Sequence, residues 1–417
     1  MTETHRVVVT GLGMVTPLGL NEPALRERLF AGRGAIRRIT GFDPAPFKSK
    51  NGAEVEADAL SAALVARGWK PSDRAMDMAL LASAQALEQA GLLPAGPGSP
   101  GEDTAVLFGT GSGPSHAVTD SWLAYFAQGP RGVRPTTVPR CMLNVISSQV
   151  SIRFGLKGSN YVVVAACSSS TMALGIAYRM ILHGYARRVL CGGSDSMFTA
   201  PLYAGWDNLG VMSRAAEADK ACRPFDADRD GFVLGEGAGA VVLESLEEAR
   251  KRGARIRAEI HGYGESSDGT HITRPSVDGQ AAAMAAALRS ARMTPADIDF
   301  INAHGTATKA NDECEAGAIR AVFGAEADRV PVVSSKSFFG HLLGAAGIVE
   351  TLAAILCLED GRLHPNLNLD HPDPLCNLRL VGRESLELPL RTCMKNSFGF
   401  GGSNAVVILG GYKEQGP

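Results

Sequence analysis

The sequence predicts a mixed α/β protein made of two similar halves. Two segments share one layout, in which a strand rich in β-branched residues is followed by a turn of small residues and a long apolar helix. These strands are predicted over 161–166 and 330–334. Because strands that alternate with helices build α/β folds, the recurrence of this layout indicates a duplicated architecture. We expect one half to span residues 1–255 and the other residues 256–417.

The other elements follow from hydrophobic patterns along the chain. A strand is predicted over 6–10, and apolar residues spaced three or four apart predict a helix over 75–91. Gly91 is a typical helix stop, and residues 93–101 form a short loop rich in proline and glycine. Further strands are predicted over 104–109, 189–193, 299–304, 390–394 and 405–409.

Composition and charge limit the classes of function. The chain has 417 residues, of which 45% are hydrophobic, so it can bury a sizeable core. Its net charge of -2 lacks the basic excess of proteins built around nucleic acid, and we expect no nucleic-acid partner. The longest uncharged stretch, 158–178, is interrupted by hydroxyl residues at 168–171, so we expect no membrane insertion. The first residues carry no secretory signal pattern, which predicts a cytoplasmic protein.

Two short motifs imitate ligand-binding sites and are rejected. Gly11-Leu-Gly13 follows a strand, but the third glycine of a dinucleotide-binding loop is missing. Asp226, Asp228 and Asp230 have the spacing of a calcium loop, but the twelfth position of that loop would be a glycine. We expect these aspartates to accept backbone hydrogen bonds in a turn. The eight cysteines form no C-x-x-C pair, which predicts free thiols and no metal site.

Three reactive side chains fall on predicted strand-to-helix turns. Cys167 follows the strand at 161–166, and backbone N–H groups at a helix start lower the pKa of a thiol. His304 ends the strand at 299–304, and His341 opens a helix between glycines. Taken singly, each is explained as well or better by a buried structural role. Because strand ends at one edge of an α/β sheet converge, we expect the three to share one site.

A fourth element is the glycine-rich segment N-S-F-G-F-G-G-S at 396–403. Glycines beside aromatic residues can bring backbone N–H groups to an oxyanion. The same pattern also fits a simple turn between the strands predicted over 390–394 and 405–409.

Together these elements resemble the β-ketoacyl-acyl-carrier-protein synthases, in particular the elongating KAS I/II class and its KAS II members, within the thiolase superfamily. The motifs appear in the family's order and cover residues 6–412. They are V-T-G-L-G-M-V-T-P-L-G (9–19), A-C-S-S (166–169), R-P-F-D-A-D-R-D-G-F-V-L-G-E-G (223–237), H-G-T-A-T (304–308), K-S-F-F-G-H (336–341) and N-S-F-G-F-G-G (396–402). The resemblance implies a five-layered αβαβα thiolase fold of two duplicated halves. Both rejected motifs are parts of the family's own sequence pattern.

The resemblance also implies a decarboxylating Claisen condensation. An acyl group moves from the phosphopantetheine of an acyl carrier protein to Cys167, and malonyl carrier protein then loses CO₂ and extends the chain by two carbons. The implied roles are neutral hydrogen-bond donors for His304 and His341, and an oxyanion hole for the N–H groups of Cys167 and Phe400. Because the substrates arrive on carrier protein, we expect no bound cofactor.

Supporting residues are implied by the same resemblance. Lys336 pairs with Glu350 and fixes the charge around the second histidine, and it is not a base. Thr306 and Thr308 bind the pantetheine arm, and Phe400 with the glycines after it forms a gating loop.

Other positions bear on the support of the site and on which substrate it accepts. Asp312 and Glu315 either support the first histidine loop or belong to a solvated helix start. Ser112 falls where KAS II enzymes carry a bulky aliphatic residue in the acyl pocket, so a longer or polyunsaturated chain is conceivable. The basic cluster for carrier-protein docking is reduced to Lys70 and Arg74.

The segment H-G-T-A-T-K-A-N-D at 304–312 replaces the fatty-acid pattern H-G-T-S-T-P-x-G-D and looks closer to type II polyketide ketosynthases. The partner is therefore either a second copy of the chain or a homologous subunit of the chain-length-factor type. A non-catalytic partner subunit is disfavoured because Cys167 and both histidines are present. Thiolases and priming synthases are disfavoured by the motif around His341.

Overall fold

A computed structural model describes residues 5–94, 98–99 and 101–412 of the chain. Residues 95–97 and 100, which belong to the loop predicted over 93–101, lie outside the described residues. Among the described helices, none combines the length and the apolar character needed to cross a membrane.

The first half begins with a long strand and ends with a short helix. Its elements, in chain order, are β1 (Val7–Val15), α1 (Glu22–Phe30), β2 (Arg37–Arg38), β3 (Asn51–Ala53), α2 (Ala57–Ala66), α3 (Arg74–Gln89), β4 (Ala105–Gly109), α4 (Ser115–Gln128), α5 (Thr137–Cys141), α6 (Val145–Phe154), β5 (Asn160–Val163), α7 (Ser169–Leu182), β6 (Arg188–Asp195), α8 (Ala200–Leu209), β7 (Leu234–Gly235), β8 (Gly237–Ser245) and α9 (Leu246–Lys251).

The second half repeats this alternation with fewer helices. Its elements are β9 (Ala258–Ser267), α10 (Val277–Ala291), β10 (Phe300–Asn302), α11 (Lys309–Phe323), β11 (Pro331–Val333), α12 (Lys336–Phe339), α13 (Ala346–Asp360), β12 (Arg362–Leu363), β13 (Arg379–Leu380), β14 (Leu386–Glu387), β15 (Thr392–Gly399) and β16 (Ser403–Gly410).

The two halves have the same strand topology. In spatial order the first runs β1-β8-β6-β4-β5 and the second runs β9-β16-β15-β10-β11, with β13 added at its edge. In the first half β4 is parallel to β6 and β5, and the pairings β1–β8 and β8–β6 are antiparallel. In the second half β10 is parallel to β15 and β11, and the pairings β9–β16 and β16–β15 are antiparallel. The antiparallel pairing of β1 with β9 joins both halves into one eleven-stranded sheet. The predicted duplication is confirmed, and the repeat changes over between α9 and β9.

Helices form three layers around the two half-sheets. Helix α3 packs on the outer face of β1, β8 and β6, and α10 packs on the outer face of β9 and β16. Helices α7 and α13 contact each other and lie between the half-sheets, where each touches strands of both halves. The five-layered αβαβα arrangement implied by the resemblance is therefore present. The central helices are buried on most sides, as the sequence predicts.

Strand β1 is longer than predicted because its glycines belong to the strand. A Cβ atom on Gly11 would lie 2.1 Å from the carbonyl oxygen of Ala86, and one on Gly13 would lie 1.9 Å from that of Ala82. The two glycines thus allow α3 to approach the sheet closely. This packing role explains the G-x-G pattern without a dinucleotide.

Candidate active site

Cys167 lies on a sharp turn between β5 and α7. The predicted strand over 161–166 ends already at Val163, and Ala166 adopts the left-handed conformation with φ 49°. The 3₁₀ turn Ala166–Ser168 is held by Ser168 Oγ, which donates to the carbonyl oxygen of Ala165 at 2.7 Å. A non-glycine residue rarely adopts this backbone conformation, so the surrounding contacts must hold the turn in it. The position of the thiol is thereby fixed.

The charge state of Cys167 differs from the expectation. Burial raises the pKa of Cys167 to about 11, although the Lys336 ammonium and a hydrogen bond from the Phe400 N–H to the sulfur act in the opposite direction. The expected net lowering of the pKa by the helix start is wrong, since desolvation of the thiolate outweighs it. Cys167 is a neutral thiol at rest.

The segment around Phe400 is the connection between β15 and β16. Gly399 brings this connection against the cysteine turn, where a Cβ would lie 2.9 Å from the carbonyl oxygen of Ala165 and 3.2 Å from the nitrogen of Cys167. The Phe400 ring stacks on Trp206, with ring centroids 6.2 Å apart. The segment is a turn between strands that also contacts the cysteine turn, and its part in an oxyanion hole stays a prediction.

His304 follows β10 and is held by two buried carboxylates. Glu315 accepts hydrogen bonds from the backbone N–H groups of His304 and Gly305, both at 2.8 Å. Asp312 accepts from the N–H of Thr306 at 3.0 Å. Both carboxylates are fully buried, so the alternative of a solvated helix start is wrong. Burial raises the pKa of Asp312 to about 6 and also raises that of Glu315.

His341 lies between two short helical segments. It follows α12, and the 3₁₀ turn Leu343–Ala345 separates it from α13, so it does not itself open the long helix. Its backbone N–H donates to the carbonyl oxygen of Val233 at 2.7 Å. Its ring Nδ1 accepts a hydrogen bond from the N–H of Leu343 at 3.3 Å. The Nε2 atom of His341 therefore carries the ring proton.

The three predicted reactive groups share one site. The Cys167 sulfur and one ring nitrogen of each histidine all lie within 4.8 Å of one another. The rings of His304 and His341 meet edge to face, with centroids 5.4 Å apart. Both histidines are fully buried, which lowers their pKa values well below the ordinary value, and the Lys336 ammonium lowers them further. Two neutral imidazoles thus face a neutral thiol.

Lys336 orients the first histidine. Its Nζ donates to the carbonyl oxygen of His304 at 2.6 Å and lies 3.3 Å from the Nδ1 of the same residue. An ammonium beside Nδ1 can only donate to it, so Nε2 of His304 also carries the ring proton. Lys336 forms a buried ion pair with Glu350, which is the contact implied by the resemblance.

A second buried lysine, which the sequence did not reveal, lies at the same carboxylate. The Nζ of Lys395 lies 2.9 Å from the Oε2 of Glu350. Lys395 lies in the middle of β15 and is fully buried. A lysine in a strand is usually exposed, so its position gave no signal of burial.

A cavity leads to these groups. Cys167 and both histidines line it, together with the hydroxyl-bearing Thr306 and Thr308, whose Oγ1 atoms are 2.8 Å apart. The remaining lining residues are Trp206, Val211, Phe232, Asp268, Ile272, Thr273, Arg274, Pro275, Ala310, Asn311, Phe398, Gly399, Phe400, Gly402 and Asn404. A mostly apolar cavity lined by a nucleophile and two hydrogen-bond donors suits a substrate that carries its reactive carbonyl to Cys167.

Comparisons with known proteins identify the family of the chain. The β-ketoacyl synthase N-terminal domain matches residues 4–249, and the β-ketoacyl synthase C-terminal domain matches residues 257–370. The chain belongs to the β-ketoacyl synthase family. The predicted family and its reaction class are thereby confirmed.

Curated relatives match this chain over nearly its whole length. This ketosynthase is 40% identical to 3-oxoacyl-[acyl-carrier-protein] synthase 2 of Coxiella burnetii, over 98% of this chain and 99% of that one. It is 42% identical to the protein of the same name from Rhizobium meliloti, with the same coverage.

Among solved structures, the ishigamide ketosynthase/chain length factor superposes with a TM-score of 0.91 at 35% identity, over 98% of this chain and 100% of that one. A type II polyketide synthase ketosynthase, solved in complex with its acyl-carrier protein and bound to the hexaketide, has a TM-score of 0.90 at 29% identity and the same coverage. Both comparisons support the thiolase-type fold.

Two residues named with the substrate make internal contacts in this ketosynthase. The Ser112 hydroxyl donates to the buried Asp195 at 3.0 Å, and the place of Ser112 in an acyl pocket stays a prediction. Arg74 is committed to an ion pair with the buried Glu236. Arg74 is therefore unsuited to docking a carrier protein.

The rejected calcium motif is a turn, as predicted. Asp226 accepts hydrogen bonds from the backbone N–H groups of Asp370 and His371, both at 2.7 Å, and of Asp228 at 2.9 Å. Asp230 accepts from the N–H of Arg214 at 2.9 Å. Asp226 and Asp230 thus satisfy backbone donors, whereas the Asp228 carboxylate lies 2.9 Å from Nδ1 of His371.

Proposed function

We propose that this ketosynthase extends acyl groups held on an acyl carrier protein by two carbons, using malonyl carrier protein. The observation that carries the proposal is the convergence of Cys167, His304 and His341 within 4.8 Å in the lining of one cavity. A thiol supplies a nucleophile that is also a good leaving group, and two neutral imidazoles supply donors for an enolate.

Acyl transfer begins at Cys167. Its sulfur attacks the thioester carbonyl of the acyl carrier protein, and the resulting oxyanion accepts hydrogen bonds from the N–H groups of Cys167 and Phe400. Since the Phe400 N–H already donates to the sulfur, it lies within reach of an oxygen bonded to the attacked carbon. The pantetheine sulfur then leaves, and the proton lost by Cys167 ends on the released pantetheine thiol.

Condensation uses the two histidines. The malonyl carboxylate leaves as CO₂, and its electron pair forms an enolate whose oxygen accepts hydrogen bonds from the Nε2–H groups of His304 and His341. The enolate carbon attacks the acyl-Cys167 carbonyl. Collapse of that intermediate releases the cysteine as a thiolate, which takes up one proton from water.

The cavity wall suits a pantetheine arm. Thr306 and Thr308 present adjacent hydroxyl groups that can donate to the amide oxygens of the arm. Thr308 also caps α11 by accepting from the N–H of Asn311 at 3.3 Å, which fixes its side chain. A threonine held in this way can position the arm without a loss of its own conformational freedom on binding.

We propose that a second copy of the chain pairs along β5. This strand is the edge of the eleven-stranded sheet, and Tyr161 on it is 53% exposed. Helix α4 in the same half exposes Trp122 and Phe126. An apolar edge strand with exposed aromatic side chains nearby in the chain is typical of a surface that a partner covers.

A second candidate function is the ketosynthase subunit of a type II polyketide system with a chain-length-factor-like partner. The solved relatives of that kind support it, as does the segment at 304–312. In this segment Asn311 donates to Asp312 at 3.2 Å and to Glu315 at 3.4 Å, so one of the three residues that depart from the fatty-acid pattern helps to support His304.

The test combines purified protein, malonyl carrier protein and acyl carrier proteins of graded chain length, with products followed by mass spectrometry. We expect ketoacyl product that Cys167→Ala abolishes and that Cys191→Ala, a buried cysteine on β6, leaves intact. Product over a broad saturated range favours fatty-acid synthesis, and product only with a co-expressed homologue or polyenoyl primers favours the polyketide system. The absence of any acylation of Cys167 would contradict both.

A further inference from the structure

Lys395 is a charged side chain in the interior of a ketosynthase whose proposed mechanism does not use it. It lies on β15, between Asn302 on β10 and Val407 on β16, at the centre of the second half-sheet. Its side chain is fully buried. Since a buried ammonium is costly unless it is paired, its contacts must account for its presence.

The ammonium of Lys395 has partners from three elements. It pairs with Glu350 on α13 at 2.9 Å and donates to Thr171 on α7 at 3.4 Å. It also donates to Ser397 on its own strand. The Thr171 and Ser397 hydroxyls are themselves 2.8 Å apart. One side chain thus connects the helix that follows Cys167, the helix that follows His341 and the strand that leads to the Phe400 segment.

Glu350 is shared between two ammonium groups. Its Oε1 accepts from Lys336 and its Oε2 lies against Lys395. Glu350 alone does not balance both lysines, and burial lowers the pKa of Lys395, a shift that the Glu350 carboxylate opposes. Glu315, whose oxygens accept from the His304 loop and from Asn396 at 3.0 Å, is the other buried carboxylate that faces this cluster.

We propose that Lys395 is a positioning residue that shares the Glu350 carboxylate with Lys336, and so keeps a positive charge facing His304 and His341 that holds both rings neutral. The inference rests on the proposed condensation, in which each ring must donate through Nε2. A protonated imidazole next to two ammonium groups is disfavoured by like-charge repulsion. The positive charge of Lys395 contributes to the lowered pKa of both histidines.

The predicted consequence is a shift of the acid limb of activity. Without Lys395, Glu350 pairs with Lys336 alone, and the positive charge that Lys395 contributes near both histidines is lost. The pKa values of His304 and His341 then rise towards the ordinary value, so the rings become protonated at higher pH. A protonated ring has also lost the arrangement in which Nδ1 accepts from Lys336 or from the Leu343 N–H.

The test is the pH–rate profile of malonyl carrier protein decarboxylation, measured as CO₂ release. We expect Lys395→Met to move the acid limb up by about one pH unit, whereas Lys251→Met, the same change on an exposed residue of α9, leaves it in place. Lys395→Gln, which keeps a hydrogen-bonding side chain without the charge, should show the same shift if the methionine variant does not fold. Lys395→Arg, which keeps the charge, should retain the wild-type limb even at a lower rate.

The outcomes separate the inference from the proposed function. If the wild-type protein releases no CO₂, the proposed condensation fails. If the wild type is active and the neutral variants lose rate equally at all pH values with an unmoved acid limb, Lys395 has only a structural role and the inference is overturned. NMR spectra of imidazole ¹⁵N nuclei report the same shift independently of turnover, as protonation of two ring signals at higher pH in the neutral variants.

Discussion

Cys167 in the first half and His341 in the second lie at equivalent points of a repeated topology. Each follows the third strand of its half-sheet in chain order, β5 or β11, and precedes a central helix, α7 or α13. Burial acts on the two groups in opposite directions, raising the pKa of the thiol and lowering that of the imidazole. Both groups are therefore neutral. In the proposed mechanism, the same fold position supplies a nucleophile in one half and a hydrogen-bond donor in the other.

The loops after the second strands show a similar parallel. In the first half the loop after β4 is held by Asp195, which accepts from the N–H groups of Gly111 at 2.6 Å and Ser112 at 3.1 Å. In the second half the loop after β10 is held by Glu315 and Asp312. Buried carboxylates thus fix both loops, but only the second loop carries an imidazole. In the proposed mechanism the nucleophile for acyl transfer comes from the first half, and both imidazole donors for decarboxylation come from the second.

Removal of a second-half donor should have the largest effect on one partial reaction. We expect His341→Ala to slow CO₂ release from malonyl carrier protein by about 10²- to 10³-fold, because the enolate loses one of its donors. Acylation of Cys167 should persist. Radiolabelled CO₂ release and intact-protein mass spectrometry measure the two steps, with His371→Ala on an exposed histidine as the control. Equal slowing of CO₂ release and of Cys167 acylation would contradict the proposed division of the two steps between the halves.

The neutrality of Cys167 predicts how its reactivity depends on pH. Because burial raises its pKa to about 11, alkylation by iodoacetamide should rise about tenfold per pH unit, or about 100-fold from pH 7 to 9. Mass spectrometry of the peptide that carries Cys167 gives the rate. A plateau below pH 8 would mean that the helix start stabilises the thiolate more than burial opposes it.

The contact between the Phe400 segment and the cysteine turn can be loosened by one methyl group. We expect Gly399→Ala to slow acyl transfer by about tenfold, since the added Cβ pushes the segment away from Ala165 and Cys167. Gly382→Ala, whose added methyl would meet nothing within 4 Å, is the matched control. An unchanged acylation rate in Gly399→Ala would show that the close contact is not needed for transfer.

The support of the His304 loop should appear mainly in stability. Asp312 accepts from the N–H of Thr306 at 3.0 Å and from that of Phe225 at 2.9 Å, through different oxygens. The amide of Asp312→Asn can accept only one of them, so we expect a loss of about 1–3 kcal/mol in the free energy of unfolding. Urea denaturation measures it. An unchanged free energy of unfolding would mean that the loop relaxes to satisfy both donors.

The fold and the reactive groups could be predicted because they depend on local pattern. The strand–turn–helix layout repeats in the sequence, and Cys167, His304 and His341 each lie beside small residues at a turn. The resemblance supplied the pairing of Lys336 with Glu350. Boundaries were less accurate, because Gly11 and Gly13 continue β1 where a strand end was expected.

What the sequence could not predict depends on contacts between distant segments. Lys395 meets a glutamate 45 positions earlier in the chain, and nothing in its own strand marks it as buried. Ser112 bonds to Asp195, and Arg74 bonds to Glu236. The balance between burial and helix-start effects at Cys167 also requires the packed structure.

The most direct test of the division between the halves is CO₂ release from malonyl carrier protein by the Cys167→Ala variant. The account predicts that decarboxylation continues at a rate comparable to the wild type while condensation is lost, because both donors to the enolate lie in the second half. Loss of decarboxylation together with condensation, in a variant that remains folded, would contradict it.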